Sequence, residues 1–191
     1  VGSLSAGGWA LSGETLVGEY NRQWVVAYSF DGKSLKKSPQ WWIRNHEGLT
    51  ASPLFYNNQV FLSFRNGEVY CVDQVKGSVL WKVLLPSHVD HPFLAHNGKL
   101  YGVTAHSKVY SLEASSGEIN WVYDLSSPQV DLKLARGAQP LIRNQVLYVG
   151  FNSGEFTALN IETGALLWRV APASSSGAAF QGVVGEITGM H

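Results

Sequence analysis

The sequence predicts an all-β protein, a segment of a β-propeller with about four four-stranded antiparallel blades. One observation is a string that recurs as EVYCVDQVKGSVLW at residues 68–81, KVYSLEASSGEINW at 108–121 and EFTALNIETGALLW at 155–168. Another is the spacing from an opening Pro to the closing Trp, which is 28, 29 and 28 residues in these copies. Repeated four-stranded units bury their faces by stacking on one another, and radial stacking gives a propeller.

The first unit is the least regular of the four. Short strands are predicted at 9–11 and 15–17, and a longer one at 23–30. A degenerate copy of the recurring string ends at Trp41-Trp42. The composition of these strands is apolar and aromatic, as strands that face a core require. We therefore count this unit as a blade.

Each of the last three units is predicted as four short strands joined by turns. Turn-forming residues recur every 8 to 12 residues or so between apolar runs, which is typical of an antiparallel meander. In the second unit, strands are predicted at 52–55, 60–64 and 69–72. The predicted hairpin turns are Asn57-Asn58, Asn66-Gly67, Asn97-Gly98, Arg143-Asn144 and Ser153-Gly154.

The closing tryptophans and the glycines four residues before them are predicted to be structural. A Trp that recurs at repeat spacing is expected to be buried between blades. The Gly is expected in a tight turn that needs a positive φ. The predicted structural residues are Trp81, Trp121 and Trp168 with Gly77, Gly117 and Gly164.

The chain is predicted to be one propeller segment over residues 1–191. The predicted blades cover residues 9–46, 47–87, 88–125 and 126–173. Residues 174–191 are predicted to form a linker, with its Ser-Ser-Ser-Gly start, and the beginning of a fifth blade.

Composition excludes several classes of function. The 14 basic and 14 acidic residues balance and do not cluster, which argues against nucleic-acid binding. A single cysteine, Cys71, cannot form an internal disulfide and is expected to be buried in a strand. No apolar run is long enough for a membrane-spanning helix, and residues 1–8 do not have the form of an export signal.

No constellation of residues predicts catalysis, a metal site or a cofactor. There is no nucleophile elbow, phosphate loop or nucleophile beside a His, so we expect the chain not to be an enzyme. Four histidines invite a metal interpretation, but their spacing does not match a zinc site and they fall in predicted loops and turns. These solvated histidines are His88, His91, His96 and His106.

The clearest break in the repeat is an insertion after the third closing Trp. The links from closing Trp to opening Pro are 12, 11 and 19 residues long, so the third is extended. Its inserted part, residues 130–136, alternates apolar residues beside an Arg, which predicts a partner-binding segment. The alternative is an extra strand that packs on its own blade.

The repeated string and its upstream Ser-Pro strand resemble the PQQ-like repeat, and residues 132–137 ahead of Gln139-Pro140 resemble the BamB family. The likeness covers nearly all of residues 9–168. It implies an eight-bladed ring of which this chain holds about half. It also implies a non-catalytic scaffold that binds the barrel-inserting assembly factor and assists outer-membrane protein assembly, lipid-anchored at the periplasmic face of the outer membrane.

By the same resemblance, four residues are expected to contact the protein partner. They are Leu132, Leu134 and Arg136 in the inserted link, and Glu186 at the position of the family's second, acidic contact. Ala135 departs from the family's Leu-x-Leu-Arg pattern, and Glu186 stands where the family has an acidic pair.

Two other functions and two assembly states remain open at this point. One function is a quinone-dependent dehydrogenase segment, although a single cysteine cannot make the vicinal disulfide of those enzymes. The other is a periplasmic or lumenal sensor propeller. Because four blades with the wedge angle of an eight-bladed ring leave two flanks open, the chain is predicted to be either a piece of a longer protein or half of a two-fold homodimer.

Overall fold

The computed structural model describes residues 8–125, 138–151 and 153–171, and in them the chain is all-β. These residues form 16 strands in four separate four-stranded sheets. Within each sheet, every strand pairs antiparallel with the next one along the chain. The predicted fold class, four antiparallel propeller blades, is confirmed. No helix within this part of the chain is long and apolar enough to span a membrane.

The strands follow one up-and-down pattern in each blade. The first blade contains β1 Trp9–Ser12, β2 Thr15–Tyr20, β3 Trp24–Ser29 and β4 Trp41–Arg44. The second contains β5 Leu54–Tyr56, β6 Gln59–Ser63, β7 Glu68–Asp73 and β8 Val79–Leu84. The third contains β9 Leu94–His96, β10 Lys99–Val103, β11 Lys108–Glu113 and β12 Ile119–Asp124. The fourth contains β13 Leu141–Arg143, β14 Val146–Gly150, β15 Phe156–Asn160 and β16 Leu166–Val170.

Two-residue turns join the first and second strands of the last three blades. Both turn residues have positive φ, at 50° and 59° for Asn57 and Asn58 and at 48° and 78° for Asn97 and Gly98. This is the type I′ geometry whose twist matches the flanking strands. In the fourth blade the turn is Asn144-Gln145, so the predicted Arg143-Asn144 turn is one residue too early. Arg143 remains in β13 because it pairs with Val146.

A side-chain cap closes the turn between the third and fourth strands. In the second blade, the Asp73 carboxylate accepts hydrogen bonds from the amides of Val75 and Lys76, at 2.9 and 2.7 Å. The amide of Lys76 is the larger cause of the lowered pKa of this exposed carboxyl. Asn160 caps the fourth blade's turn in the same way. Such a cap selects Asp or Asn at the first position of the turn.

The first blade has the same cap, at Asp31, but a longer connection between its third and fourth strands. Trp41 pairs with Ala27, 14 residues earlier, whereas Trp81 pairs with Cys71, 10 residues earlier. The first blade therefore has a connection four residues longer than that of the second. Gly32 in this longer connection has no atom within 4 Å of the position that a Cβ would take.

The hydrophobic core lies in three layers between neighbouring blades. Each layer combines buried side chains from the second and third strands of two adjacent sheets with side chains from the link between them, because neither sheet can bury its face alone. The layer between the first two blades includes Val17, Val25, Leu49, Val60 and Leu62. The next includes Phe61, Cys71, Phe93, Leu100 and Leu112, and the last includes Tyr101, Val109, Leu147, Val149 and Leu159.

A tryptophan contact fixes each pair of blades at the outer rim. The indole N–H groups of Trp41, Trp81 and Trp121 donate to a carbonyl of the next blade, at 2.8, 3.0 and 3.1 Å. The accepting carbonyls belong to Gln74, Ala114 and Ile161. Each of these three tryptophans is therefore hydrogen-bonded to the third-to-fourth-strand turn of the blade that follows it.

The same tryptophan rings cover the turn glycines. Gly77, Gly117 and Gly164 have φ angles of 71°, 76° and 70°. A Cβ at these positions would lie 2.4, 2.6 and 2.5 Å from the rings of Trp41, Trp81 and Trp121 respectively. Only glycine satisfies both the positive φ and the close approach of the ring.

The prediction that the closing tryptophans are buried is wrong for three of them. Trp81, Trp121 and Trp168 are half-buried, while Trp41 in the least regular blade is only 5% exposed. The physical reason is their place on the outermost strand. The next blade covers one side of the Trp81 and Trp121 rings, and Trp168 packs on Tyr148 and Phe156 of its own blade. The contacts of Trp81 and Trp121 are nonetheless those of residues that hold blades together.

We expect Gly117→Ala to lower the free energy of unfolding by about 2–4 kcal/mol. The new methyl group would combine the strain of a positive φ, about 1 kcal/mol, with overpacking against Trp81, about 1–3 kcal/mol. The matched control is Gly13→Ala, because Gly13 has a φ of 57° and open space around the Cβ position. Urea unfolding measures both; an equal loss in the two variants would contradict the contact.

We also expect Trp121→Ala to cost more stability than Trp168→Ala. Truncating Trp121 removes a large ring and its hydrogen bond to the next blade, a loss of about 3 kcal/mol. Trp168 contacts Tyr148 and Phe156 of its own blade and has no hydrogen bond from its indole within the described residues. Thermal and urea unfolding of the two variants test the difference, and a larger loss for Trp168→Ala would contradict it.

Candidate functional site

The four predicted partner-binding residues lie outside the described residues. Leu132, Leu134 and Arg136 belong to the inserted link, and Glu186 to the C-terminal stretch. The structure does place both ends of the inserted link. Leu125 ends the preceding segment and donates its amide to the Ser107 carbonyl at 3.3 Å. The link returns at Ala138, whose amide donates to the Gly150 carbonyl at 3.2 Å.

All links between described blades emerge on one side of the molecule, which we call the link face. It consists of links 45–53 and 85–93, both ends of the inserted link, and the turns between second and third strands. Backbone hydrogen bonds join links to turns, from Asn45 to Gln23, from Leu85 to Gly67 and from Ala105 to His88. The inserted link therefore begins and ends on a face whose backbone is held at several points.

A buried carboxylate anchors the first link. Glu19 is 3% exposed, and its Oε2 accepts the amide of Leu49 at 2.9 Å, which joins β2 of the first blade to the link that enters the second. Its Oε1 is buried without a hydrogen-bond partner in the part of the chain that the structure describes. Gly48, with a φ of 73°, lies directly beside the carboxylate. Sequence reasoning missed Glu19, although an acidic residue inside the apolar strand TLVGEY is a signal.

A polar cluster lies beside this link, between the first two blades. The Glu68 carboxylate accepts hydrogen bonds from the side chains of Asn45, Asn66 and Tyr70, at 3.4, 2.9 and 3.3 Å. Burial, and then the charge of Glu68, raise the pKa of the Tyr70 phenol. Through Asn45, the first residue of the link, the cluster joins the link to β7.

The predicted solvated histidines divide between the two faces. His88, His91 and His106 are on the link face, and His96 ends β9 at the opposite face. His88 lies 3.4 Å from the carboxylate of Asp90. Among the described residues, no three metal-ligating side chains are close enough together to hold an ion.

Cys71 is fully buried in β7, within the core layer between the second and third blades. Burial, and to a lesser degree the charge of Asp73, raise the pKa of its thiol to about 12. The thiolate, which is the reactive form of cysteine, is therefore negligible near neutral pH. Cys71 is a packing residue.

Comparison with known proteins identifies the family. A family model described as "Outer membrane protein assembly factor BamB" matches residues 21–189. The chain belongs to the BamB family. A curated BamB of Nitrosomonas eutropha is 26% identical over 144 residues, which are 73% of this chain and 34% of that protein. The chain thus spans about a third of the length of the curated BamB proteins that it matches.

A solved BamB structure has the same fold. The crystal structure of BamB from Moraxella catarrhalis superposes with a TM-score of 0.75 at 20% identity, over 94% of this chain and 53% of that one. The predicted resemblance to BamB-type PQQ-like repeats is confirmed. A quinohemoprotein alcohol dehydrogenase of Pseudomonas putida is also similar, 24% identical over 142 residues, but these make up only 20% of that enzyme.

We expect the stability of the fold to fall as the pH rises from 9 toward 12. The folded chain holds the Cys71 proton more tightly than the unfolded chain, whose thiol ionises near pH 9. The buried thiol therefore has no effect below pH 9 and favours unfolding above it, by about 2 kcal/mol at pH 10.5. Urea unfolding of the parent and of Cys71→Ala at pH 8 and 10.5 measures this. The variant should lose less stability than the parent, and equal losses would contradict the buried thiol.

Proposed function

We propose that the chain is a scaffold segment of an outer-membrane protein assembly factor, non-catalytic, which binds the barrel-inserting assembly factor. The observation that carries the proposal is the BamB family match over residues 21–189. Propellers of this kind present variable links on a rigid repeat, which suits a scaffold. Its place would be the periplasmic face of the outer membrane, lipid-anchored as part of the longer protein.

The partner-binding segment in this proposal is the inserted link. Leu132 and Leu134 would fill an apolar groove of the partner, while the Arg136 guanidinium would bind a carboxylate in a bidentate manner. Glu186 would supply the acidic contact of the same interface. This pairing of apolar anchors with one Arg is typical of the few residues that dominate the energy of an interface.

The structure around the ends of the inserted link supports this role. Leu125, Val149 and Phe151 are buried in the core layer between the third and fourth blades, directly beneath the point where the link leaves and returns. A link whose ends are fixed on a packed core loses less conformational entropy when it binds. The link can then present its Leu and Arg side chains without reorganising the blades.

A following blade, rather than a second copy of this chain, is the better partner for the open flank of the fourth blade. Each Trp–turn contact needs a glycine turn like those of Gly77, Gly117 and Gly164. The first blade lacks that short turn, because its connection is four residues longer between the paired residues Ala27 and Trp41. A second copy would therefore offer Trp168 a turn of a different length, and for this reason we favour a segment of a longer protein over the homodimer.

A quinone-dependent dehydrogenase segment is the second candidate, favoured by the similarity to the Pseudomonas putida enzyme. The single cysteine stands against it, because Cys71 is buried and has no second thiol with which to form a vicinal disulfide. A bound quinone would absorb in the near ultraviolet, so the spectrum of the purified protein separates the two candidates.

We expect the double variant Leu134→Ala with Arg136→Ala to lose capture of the barrel-inserting assembly factor in a pull-down. Loss of such an anchor typically costs 2 kcal/mol or more of binding free energy, about thirtyfold in affinity. The melting temperature should stay nearly unchanged.

The matched control is Leu80→Ala with Lys76→Ala. It removes an exposed apolar residue from β8 and a cation from the turn before β8, at the end of the blade opposite the link face. Parent-like binding by the double variant would mean that the inserted link only packs on its own blade. Unfolding of the double variant would place the two leucines in the core.

A further inference from the structure

An open groove with a volume of about 410 Å³ lies at the interface between the third and fourth blades. It is at the end of the blades opposite the link face, where the turns between first and second strands lie. Leu94, Ala95 and His96 of β9 form one wall, and residues 142–145 form the other. The groove is within the size range of small-ligand sites.

The two preceding interfaces each have a benzene ring at the corresponding place. At the second interface, between the second and third blades, the ring is that of Tyr56, the last residue of β5, which packs against the core layer there. At the first interface, between the first and second blades, the ring is that of Phe55, the middle residue of β5. Successive residues of a strand point to opposite faces, so β5 supplies a ring to both interfaces.

The counterpart of each ring in the neighbouring blade is a small residue. At the first interface it is Ser12, the last residue of β1, which is the position that Tyr56 holds in β5. At the second it is Ala95, the middle residue of β9, which is the position that Phe55 holds in β5. A small residue leaves room for the ring of the other blade, as a close-packed interface requires.

The third interface has no benzene ring in either position. His96 is the last residue of β9, and Ile142 is the middle residue of β13. Ile142 and Leu94 pack against the core layer between these two blades. The side chains of His96 and Ile142 are both smaller than that of Tyr56, and the groove lies between them. The groove is therefore at the place that an aromatic ring fills at the other two interfaces.

An amide donor lies in one wall of the groove. At the second interface, the Tyr56 hydroxyl accepts a hydrogen bond from the amide of Gly98, at 2.9 Å. Gln145 holds the position of Gly98, because the carbonyl of each accepts the amide of the residue that follows the third strand. No described residue accepts the Gln145 amide. A ring that carries an oxygen would supply there the acceptor that Tyr56 supplies to Gly98.

We propose that this groove binds a phenol ring, which packs on Leu94 and Ile142 and accepts a hydrogen bond from the Gln145 amide. A phenol combines an apolar face with an oxygen that can accept such a bond. Two sources offer this chemistry, a free small phenol and a tyrosine side chain of another polypeptide. The site goes beyond the proposed scaffold function and does not depend on it, because it lies at the end of the blades opposite the link face.

The test is an NMR titration of the 191-residue chain with three probes. The first, p-cresol, is the side chain of tyrosine; toluene lacks its hydroxyl, and N-acetyl-tyrosine amide adds the peptide groups. We expect p-cresol to bind with a Kd of about 1 mM, as an order of magnitude for a ligand of this size. Shifts should concentrate at His96 and Gln145. Toluene should bind about fivefold more weakly, because it cannot accept the hydrogen bond.

Two double variants close the groove in the two ways that the other interfaces are closed. His96→Tyr with Ile142→Ala copies the second interface, and His96→Ser with Ile142→Phe copies the first. Each should weaken p-cresol binding at least tenfold. The matched control is Leu141→Ala, which should bind like the parent. Leu141 is 50% exposed, and it precedes Ile142 in β13 and therefore lies on the opposite face of the sheet.

A reciprocal variant opens the second interface. Tyr56→Ala removes the ring and leaves the Gly98 amide without its acceptor. In this variant p-cresol should also shift Gly98, and it should raise the melting temperature more than it does in the parent. None of these variants changes the inserted link, so capture of the barrel-inserting factor should be unaltered. Failure here and failure of the scaffold proposal are therefore distinguishable.

The outcomes decide both the site and the source of its ligand. Tighter binding of N-acetyl-tyrosine amide than of p-cresol identifies a tyrosine side chain as the ligand, and the reverse order identifies a free phenol. Absence of shifts at His96 and Gln145, equal binding of toluene, or parent-like binding by both double variants would overturn the proposal. If neither double variant folds, the comparison of p-cresol with toluene in the parent and in Tyr56→Ala still decides.

Discussion

The contact between a closing tryptophan and the glycine turn of the next blade is the constraint on which this structure depends. It sets the distance between neighbouring sheets at the rim, because a ring packs on a backbone that carries no Cβ. It also sets their orientation, because the indole N–H reaches one particular carbonyl. Once the rim is fixed, the positions of the core layers, and of the links and turns at the two ends of the blades, follow from the same rigid repeat.

The same constraint makes the two open flanks chemically different. The fourth blade ends in Trp168, which presents a ring but meets no turn within the described residues. The first blade presents a longer connection, in which Gly32 directly follows the capping residue Asp31, whereas Gly77 lies four residues after Asp73. The turn that Trp81 meets at Gly117 therefore has no counterpart of the same length in the first blade.

Much of the fold could be predicted from the sequence because the same short sequence pattern occurs three times. The glycine turns, the Asn turns and the blade order all depend on residues close together in the chain. Contacts between blades could not be predicted, since Glu19 meets Leu49, and Tyr56 meets Gly98, only after stacking. The half-burial of Trp121 likewise depends on what the neighbouring blade places opposite it.

The interface between the third and fourth blades differs from the other interfaces at both of its ends. On the link face, the first interface is tied by Glu19, while the third carries the inserted link. At the opposite end of the blades, where the turns between first and second strands lie, Tyr56 closes the second interface, while the third has His96 and an open groove. Its core layer, the Lys99–Glu162 ion pair and the Trp121 contact are retained. Those contacts already hold the blades together. Both ends of this interface can therefore differ from the ends of the other two interfaces without loss of the fold.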